Sequence, residues 1–160
     1  MASGRNHDRG IYFVTPIVFG VGSYYFGIEL GLIAGAAHYV GGMMLSPDLD
    51  LVSRPYKRWG FLRWLWLPYQ RLIPRHRHWL SHGPVIGSLV RLVYLAALVS
   101  PLWVLFPVLQ RIQWSGANVR NVAAFLVGVE LSALNHLLLD GLLLPLPVSI
   151  KRRLAGGKHG

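Results

Sequence analysis

Residues 38–50 read HYVGGMMLSPDLD, an apolar run that carries one imidazole, breaks at Ser46-Pro47 and ends in two aspartates one residue apart. Proline has no amide hydrogen and pushes the residue before it out of helical conformation, so a regular helix ends here. A helix that stops where carboxylates begin is one way to place carboxylates around a cation. The chain has only six acidic residues. Two are Asp48 and Asp50; Asp8 and Asp140 each keep company with a histidine, in His7-Asp8 and His136-x3-Asp140. Acid so scarce, and so consistently placed beside imidazole, is the main functional signal.

Outward from that stretch, the composition points to lipid. The 160 residues suit one domain spanning residues 1–160. The hydrophobic share is 53% and the charged share 14%, against roughly 25% charged in an average soluble domain. Cysteine is absent, so any metal must be held by nitrogen and oxygen. The formal charge of +10 invites a nucleic-acid reading. Its placement between apolar segments and in the tail KRRLAGGKHG suits membrane anchoring better, and no nucleic-acid partner is expected. The polar first ten residues, MASGRNHDRG, read against a cleavable signal peptide.

Apolar segments at residues 11–26, 30–45, 84–107 and 119–146 predict an all-α membrane bundle of about four spans. The first two read as a tight hairpin with Glu29 near its turn, the second rich in small residues that let helices approach closely. One long, glycine-kinked helix is the alternative. Between spans two and three lies a basic, aromatic loop, residues 46–82, with four tryptophans and seven arginines and lysines. Rings and long basic side chains with an apolar body and a wet end suit the headgroup region, so the expectation is mostly interfacial anchors, with a short interfacial helix at residues 61–69. The basic tail, residues 151–160, is expected to be flexible.

Loop charge orients the bundle. With the N-terminus inside, residues 1–10, the loop 46–82 and the tail hold thirteen of the sixteen basic residues. That agrees with the positive-inside rule and predicts an integral membrane protein with both termini cytoplasmic. This topology carries His7, Asp8, the second half of the span with His38, Asp48, Asp50, His76, His78, His82, His136 and Asp140 to one face. His136 and Asp140, four residues apart, share a helical face about one turn apart. An ionisable pair inside an apolar helix is a functional-site hypothesis by default. Each signal also has a plainer reading: His38 as a satisfied structural residue, Asp48-Leu49-Asp50 as a Pro-Asp turn. Glu130 stands outside the site as a hydrogen-bonding residue facing another helix, and His78 can belong to the basic interface.

The motifs Ser3-Gly4-x-x-His7-Asp8, Ser46-Pro47-Asp48-Leu49-Asp50, Trp59-Gly60 with Trp64, His76-Arg77-x3-Ser81-His82-Gly83 with Gly87 and Arg91, and His136-x3-Asp140 resemble those of a small family described only as metal-binding proteins. The resemblance covers nearly the whole chain. More distantly, the order of a Pro-Asp-x-Asp turn, a His-Arg motif closing on Ser/Thr-His, and a late His-x3-Asp is similar to LexA-regulated inner-membrane proteins classed as membrane-bound metal-dependent hydrolases. In those hydrolases the two middle histidines stand one residue closer than His76 and His82 do here, which leaves His76 and His78 as rival ligands. The shared His-Arg pair favours His76.

The resemblance implies a metal site and, by extension, hydrolysis. The expected donors are His7, Asp48, His82, His136 and Asp140, with Asp8, His38 and His76 as further candidates. Asp50 is either a ligand or the base that takes a proton from the attacking water, and Arg77 holds a phosphate. Zinc is the default divalent metal, with manganese or iron as alternatives and room for two ions. The expected substrate is a phosphoester of a lipid or of another molecule at the membrane surface. The rival reading is a non-catalytic metal-binding membrane protein that binds anionic lipid or a partner subunit.

Overall fold

The computed structural model describes residues 3–105 and 115–141, and among these the regular structure is entirely helical. The ends of the third and fourth apolar segments and the basic tail with His159 lie outside the described residues.

Helix α1, Gly4–Phe26, starts early enough to include His7 and Asp8 in its opening turns, where sequence reading placed them just ahead of the first span. Ser3 caps it by accepting the Asn6 amide at 3.4 Å. The chain then reverses at Gly27 into α2, Ile28–Met44, so the hairpin replaces the single-helix alternative. Gly27 sits at φ 91°, in the region that a residue without Cβ enters freely. Glu29 lies in the first turn of α2 and accepts from Asn121 Nδ2 at 2.9 Å.

Helix α7, Gly116–Leu139, runs alongside α2. The two backbones meet at Gly128, where a Cβ would lie 2.3 Å from the Ala34 carbonyl oxygen. The pairs Glu29–Asn121, Ala34–Gly128 and Gly41–Ser132 show that α2 and α7 are parallel, with α1 antiparallel to both. The start of α1 and the ends of α2 and α7 therefore share one end of the bundle.

That end is covered by the loop. A 3₁₀ turn, Pro47–Asp50, leads into α3 (Arg54–Arg58), a second 3₁₀ segment (Gly60–Trp66), α4 (Leu67–Leu72) and α5 (Trp79–His82). Helix α6, Ile86–Leu105, packs on α5. Leu45, Leu49, Tyr56, Trp66, Tyr69 and Ile73 form a buried cluster, with Tyr94 and Leu95 of α6 against it. This corrects the expectation that the loop aromatics are mostly interfacial anchors. Phe61, Trp64 and Trp79 are exposed, but Trp66 and Tyr69 are core, and Trp59 donates from Nε1 to the Met44 carbonyl at 2.9 Å. The physical reason is local: the loop folds back on the end of α2, whose last carbonyls lack helical partners, and needs apolar mass of its own to stay there.

Among the described residues, two helical stretches, residues 28–50 (α2 with the 3₁₀ turn after it) and 116–139, are long and apolar enough to cross a membrane, and the apolar stretch of α6 is shorter. Exposed apolar residues recur along the helices, as in Phe13, Ile17 and Val21 on α1.

Candidate metal centre

Four elements converge at the covered end of the bundle. The early turns of α1 bring His7, the 3₁₀ turn brings Asp48, α5 with the segment before it brings His76 and His82, and the end of α7 brings His136 and Asp140. Ser46 fixes the turn by accepting the Asp48 amide at 3.4 Å while Pro47 opens it. Their donor atoms form three overlapping groups: His7, Asp48 and His136; Asp48, His76 and His82; His82, His136 and Asp140. Within each group all ligand atoms lie within 4.8 Å of one another.

Asp48 is the hub. Its Oδ1 lies 3.3 Å from His136 Nε2 and 3.5 Å from His82 Nε2. Those separations exceed the usual N–H···O range of 2.7–3.2 Å. They match the spacing of neighbouring donors around a small cation, about 3.3 Å for tetrahedral ligands at zinc–nitrogen distance. His136 Nε2, His82 Nε2, His76 Nε2 and His7 Nδ1 are all buried without a hydrogen-bond partner. Buried polar atoms normally find partners, so four such ring nitrogens at one centre fit lone pairs directed at a metal. The His7 and His136 rings stack with centroids 4.0 Å apart.

The remaining ring nitrogens are held from behind. Asp50, whose side chain is wholly buried, has Oδ1 2.9 Å from His76 Nδ1 and accepts the Ser81 hydroxyl on Oδ2 at 2.9 Å. Ser81 Oγ is also 2.9 Å from His82 Nδ1, and Ser46 Oγ is 3.4 Å from His136 Nδ1. A carboxylate or hydroxyl on the far nitrogen fixes the tautomer of a metal-ligating imidazole. Asp140 faces His7 Nε2 at 3.3 Å through Oδ1 and accepts from Arg77 Nη2 at 2.9 Å through Oδ2. Burial acts to raise the Asp48 and Asp140 carboxyls, but the imidazoles facing them, with Arg77 beside Asp140, outweigh it and hold both well below the usual carboxylate range.

Not every residue singled out in the sequence joins this centre. Asp50 belongs to none of the three groups. Asp8 is turned to Arg54 at 3.0 Å and Arg58 at 2.7 Å. His38 is fully buried with Nδ1 2.8 Å from Thr15 Oγ1 and stands outside the groups. His78 Nδ1 accepts the Leu80 amide at 3.3 Å and caps α5, which leaves the place at the centre to His76. Arg77 lies between them at φ 66°, a strained conformation for a residue with a Cβ, and its guanidinium goes to Asp140.

Sequence reasoning quoted Ser46, Ser81 and Arg91 inside motifs without giving them roles. The serines adjoin the donors; Arg91, 1% exposed on α6, donates to the Ser81 carbonyl at 2.6 Å and to Ser88 Oγ at 3.1 Å. An arginine inside an apolar stretch was the signal available for it.

A cavity of about 270 Å³ opens beside the centre, between α1 and α3, with His7 and Asp48 in its wall.

The model of a family described as "Uncharacterized metal-binding protein (DUF2227)" matches residues 2–148. An uncharacterized protein of Aquifex aeolicus (strain VF5) is 47% identical over 62 residues, which is 38% of this chain and 43% of the relative. The chain therefore spans less than half the length of that relative. No solved structure matches.

Proposed function

Because the chain belongs to the family of uncharacterized metal-binding proteins, we propose that it is a membrane-embedded metal-dependent hydrolase acting on a phosphoester at the membrane surface. One observation carries the reading: the Nε2 atoms of His82 and His136 converge on Asp48 Oδ1 at co-ligand spacing and are otherwise unpartnered. His7, Asp48, His76, His82, His136 and Asp140 would be the donors, with Asp48 common to two of the three groups. A divalent cation, zinc by default and manganese or iron as alternatives, supplies Lewis acidity to an ester oxygen and eases deprotonation of water.

The other residues then have positioning work. Asp50 holds His76 Nδ1 and the Ser81 hydroxyl, in place of the ligand or base role expected from sequence. Arg77 holds Asp140, in place of the phosphate contact. In this reading α1, α2, α6 and α7 are the spans and both termini are cytoplasmic. The exposed apolar faces of the helices and the concentration of basic residues around the metal-bearing end support that orientation.

Exposure of Phe61, Trp64 and Trp79 in the basic segment also favours contact with anionic lipid, which a non-catalytic metal protein would share. The two readings part on turnover. Detergent-purified protein, with Asp48→Ala and His136→Ala alongside, is assayed for metal content and for hydrolysis of a chromogenic aryl phosphate and of phosphatidic acid. Metal and hydrolysis lost together in both variants support the proposal. Metal bound without hydrolysis of either substrate favours the non-catalytic reading, and unchanged metal in both variants overturns the ligand assignment.

A further inference from the structure

With Arg77 engaged at Asp140, the centre needs another recognition element for an anionic group, and the cavity between α1 and α3 provides one. We infer that Lys57, with Arg54 and Ser53, forms a phosphate-binding subsite beside His7 and Asp48. The inference rests on the metal-centre reading and adds to it the residues that would select the substrate.

Lys57, Arg54, Ser53 and Ser46 line the cavity together with the donors His7 and Asp48. Its volume, about 270 Å³, sits at the small end of ligand pockets, which run from roughly 300 Å³. That size suits a headgroup rather than a whole lipid. Residues 54 and 57 are three apart on α3 and so share a face.

Helix α3 is also held in place. Asp8 bridges Arg54 and Arg58, and Arg58 donates to the Met43 carbonyl at 3.1 Å. That arrangement uses both oxygens of the one cavity-lining carboxylate that is not a metal donor. Lys57, exposed at the rim, has no carboxylate partner among the described residues and remains available to an incoming anion. Ser53 Oγ accepts the Tyr56 amide at 3.3 Å, which leaves its hydroxyl proton to donate. The ammonium of Lys57, the guanidinium of Arg54 already oriented by Asp8, a hydroxyl donor and an adjacent metal centre favour a compact oxyanion over a neutral or cationic group.

The test titrates inorganic phosphate into zinc-loaded, detergent-solubilised protein by calorimetry, with metal content measured on the same samples. Wild type and Lys57→Arg should bind phosphate; Lys57→Ala should bind about ten-fold more weakly, and Lys57→Glu more weakly still, with metal content unchanged. Equal phosphate affinity in wild type and Lys57→Glu overturns the subsite, as does metal-loaded wild type that binds no phosphate. Folded wild type that holds no metal overturns the metal-centre reading and the subsite with it. Glycerol phosphate and phosphatidic acid micelles, run in parallel, separate a soluble from a lipid-borne phosphate: preference for the micelles that Lys57→Glu abolishes assigns the subsite to a lipid headgroup, and equal binding assigns it to the phosphate alone.

Discussion

Arg91 Nη1 donates to the Ser81 carbonyl oxygen at 2.6 Å, so a guanidinium buried in the apolar α6 grips the backbone one residue before His82. Ser81 in turn donates to Asp50, which faces His76. The buried charge thus acts on the metal centre through three contacts in sequence. Arg91→Met should remove two charge-assisted hydrogen bonds, each worth about 1.5–3 kcal/mol, and loosen the α5 segment. Metal affinity, read by competition with a chromogenic chelator, should fall, and Arg91→Lys should recover part of it. Unchanged affinity in Arg91→Met would mean that α5 is held by its apolar contacts alone.

Asp50→Asn tests the outer carboxylate. The amide is nearly isosteric but carries no charge to hold the His76 Nδ1 proton. Loss of such an outer partner typically costs 10–100-fold in metal affinity while leaving the ligands in place. The expected result is weaker binding with the same maximal metal content. Complete loss at saturating metal would instead make Asp50 a direct ligand.

The residues legible in the sequence were those whose partner lies one helical turn away or across a helix end. His136-x3-Asp140 is read directly from spacing, and Asp48 from a helix stopped by Ser46-Pro47. Asp8 was misleading because its neighbour His7 joins the centre while Asp8 itself points to Arg54 and Arg58, which are far off in the chain. Arg77 and His78 likewise differ by one position, yet the left-handed φ at Arg77 sends them to different tasks, and no local pattern announces a positive φ at an arginine. Trp66 and Trp64 look equivalent in the sequence; only the path of the 3₁₀ segment buries one and exposes the other.

Acidification should release the metal before it unfolds the protein. Asp48 and Asp140 both have carboxyls held below the usual range, so each contributes stability that is fully present above an ordinary carboxylate pKa of about 4 and is lost as pH falls through the lower folded value. Metal-free protein should therefore weaken from this source only below about pH 4. Protons compete with metal for the imidazole nitrogens as well as for the carboxylates, so metal content should fall with pH ahead of that loss of stability. Metal content after dialysis at stepped pH, set against circular dichroism of the metal-free protein, distinguishes the two. A release curve that coincides with unfolding of the metal-free protein would mean that metal loss is not the earlier event.

Gly128→Val separates the scaffold from the site. A Cβ at residue 128 would lie 2.3 Å from the Ala34 carbonyl oxygen and 2.8 Å from the Ala37 Cβ, so α2 and α7 must move apart for any larger side chain. Helix α7 carries His136 near its end and α2 leads directly into the turn that carries Asp48, so the 3.3 Å between the two donors depends on the parallel contact of the two helices. Backbone is the obstacle, and packed helices do not yield by more than a few tenths of an ångström without losing contacts along their length. Overpacking of this kind typically costs about 1–3 kcal/mol, and more where backbone must shift. The variant should melt at lower temperature even in metal-free form. It should also bind metal more weakly although every donor is present. A Gly128→Val protein with normal metal affinity and normal melting would mean that the α2–α7 contact is not what sets the spacing of Asp48 and His136.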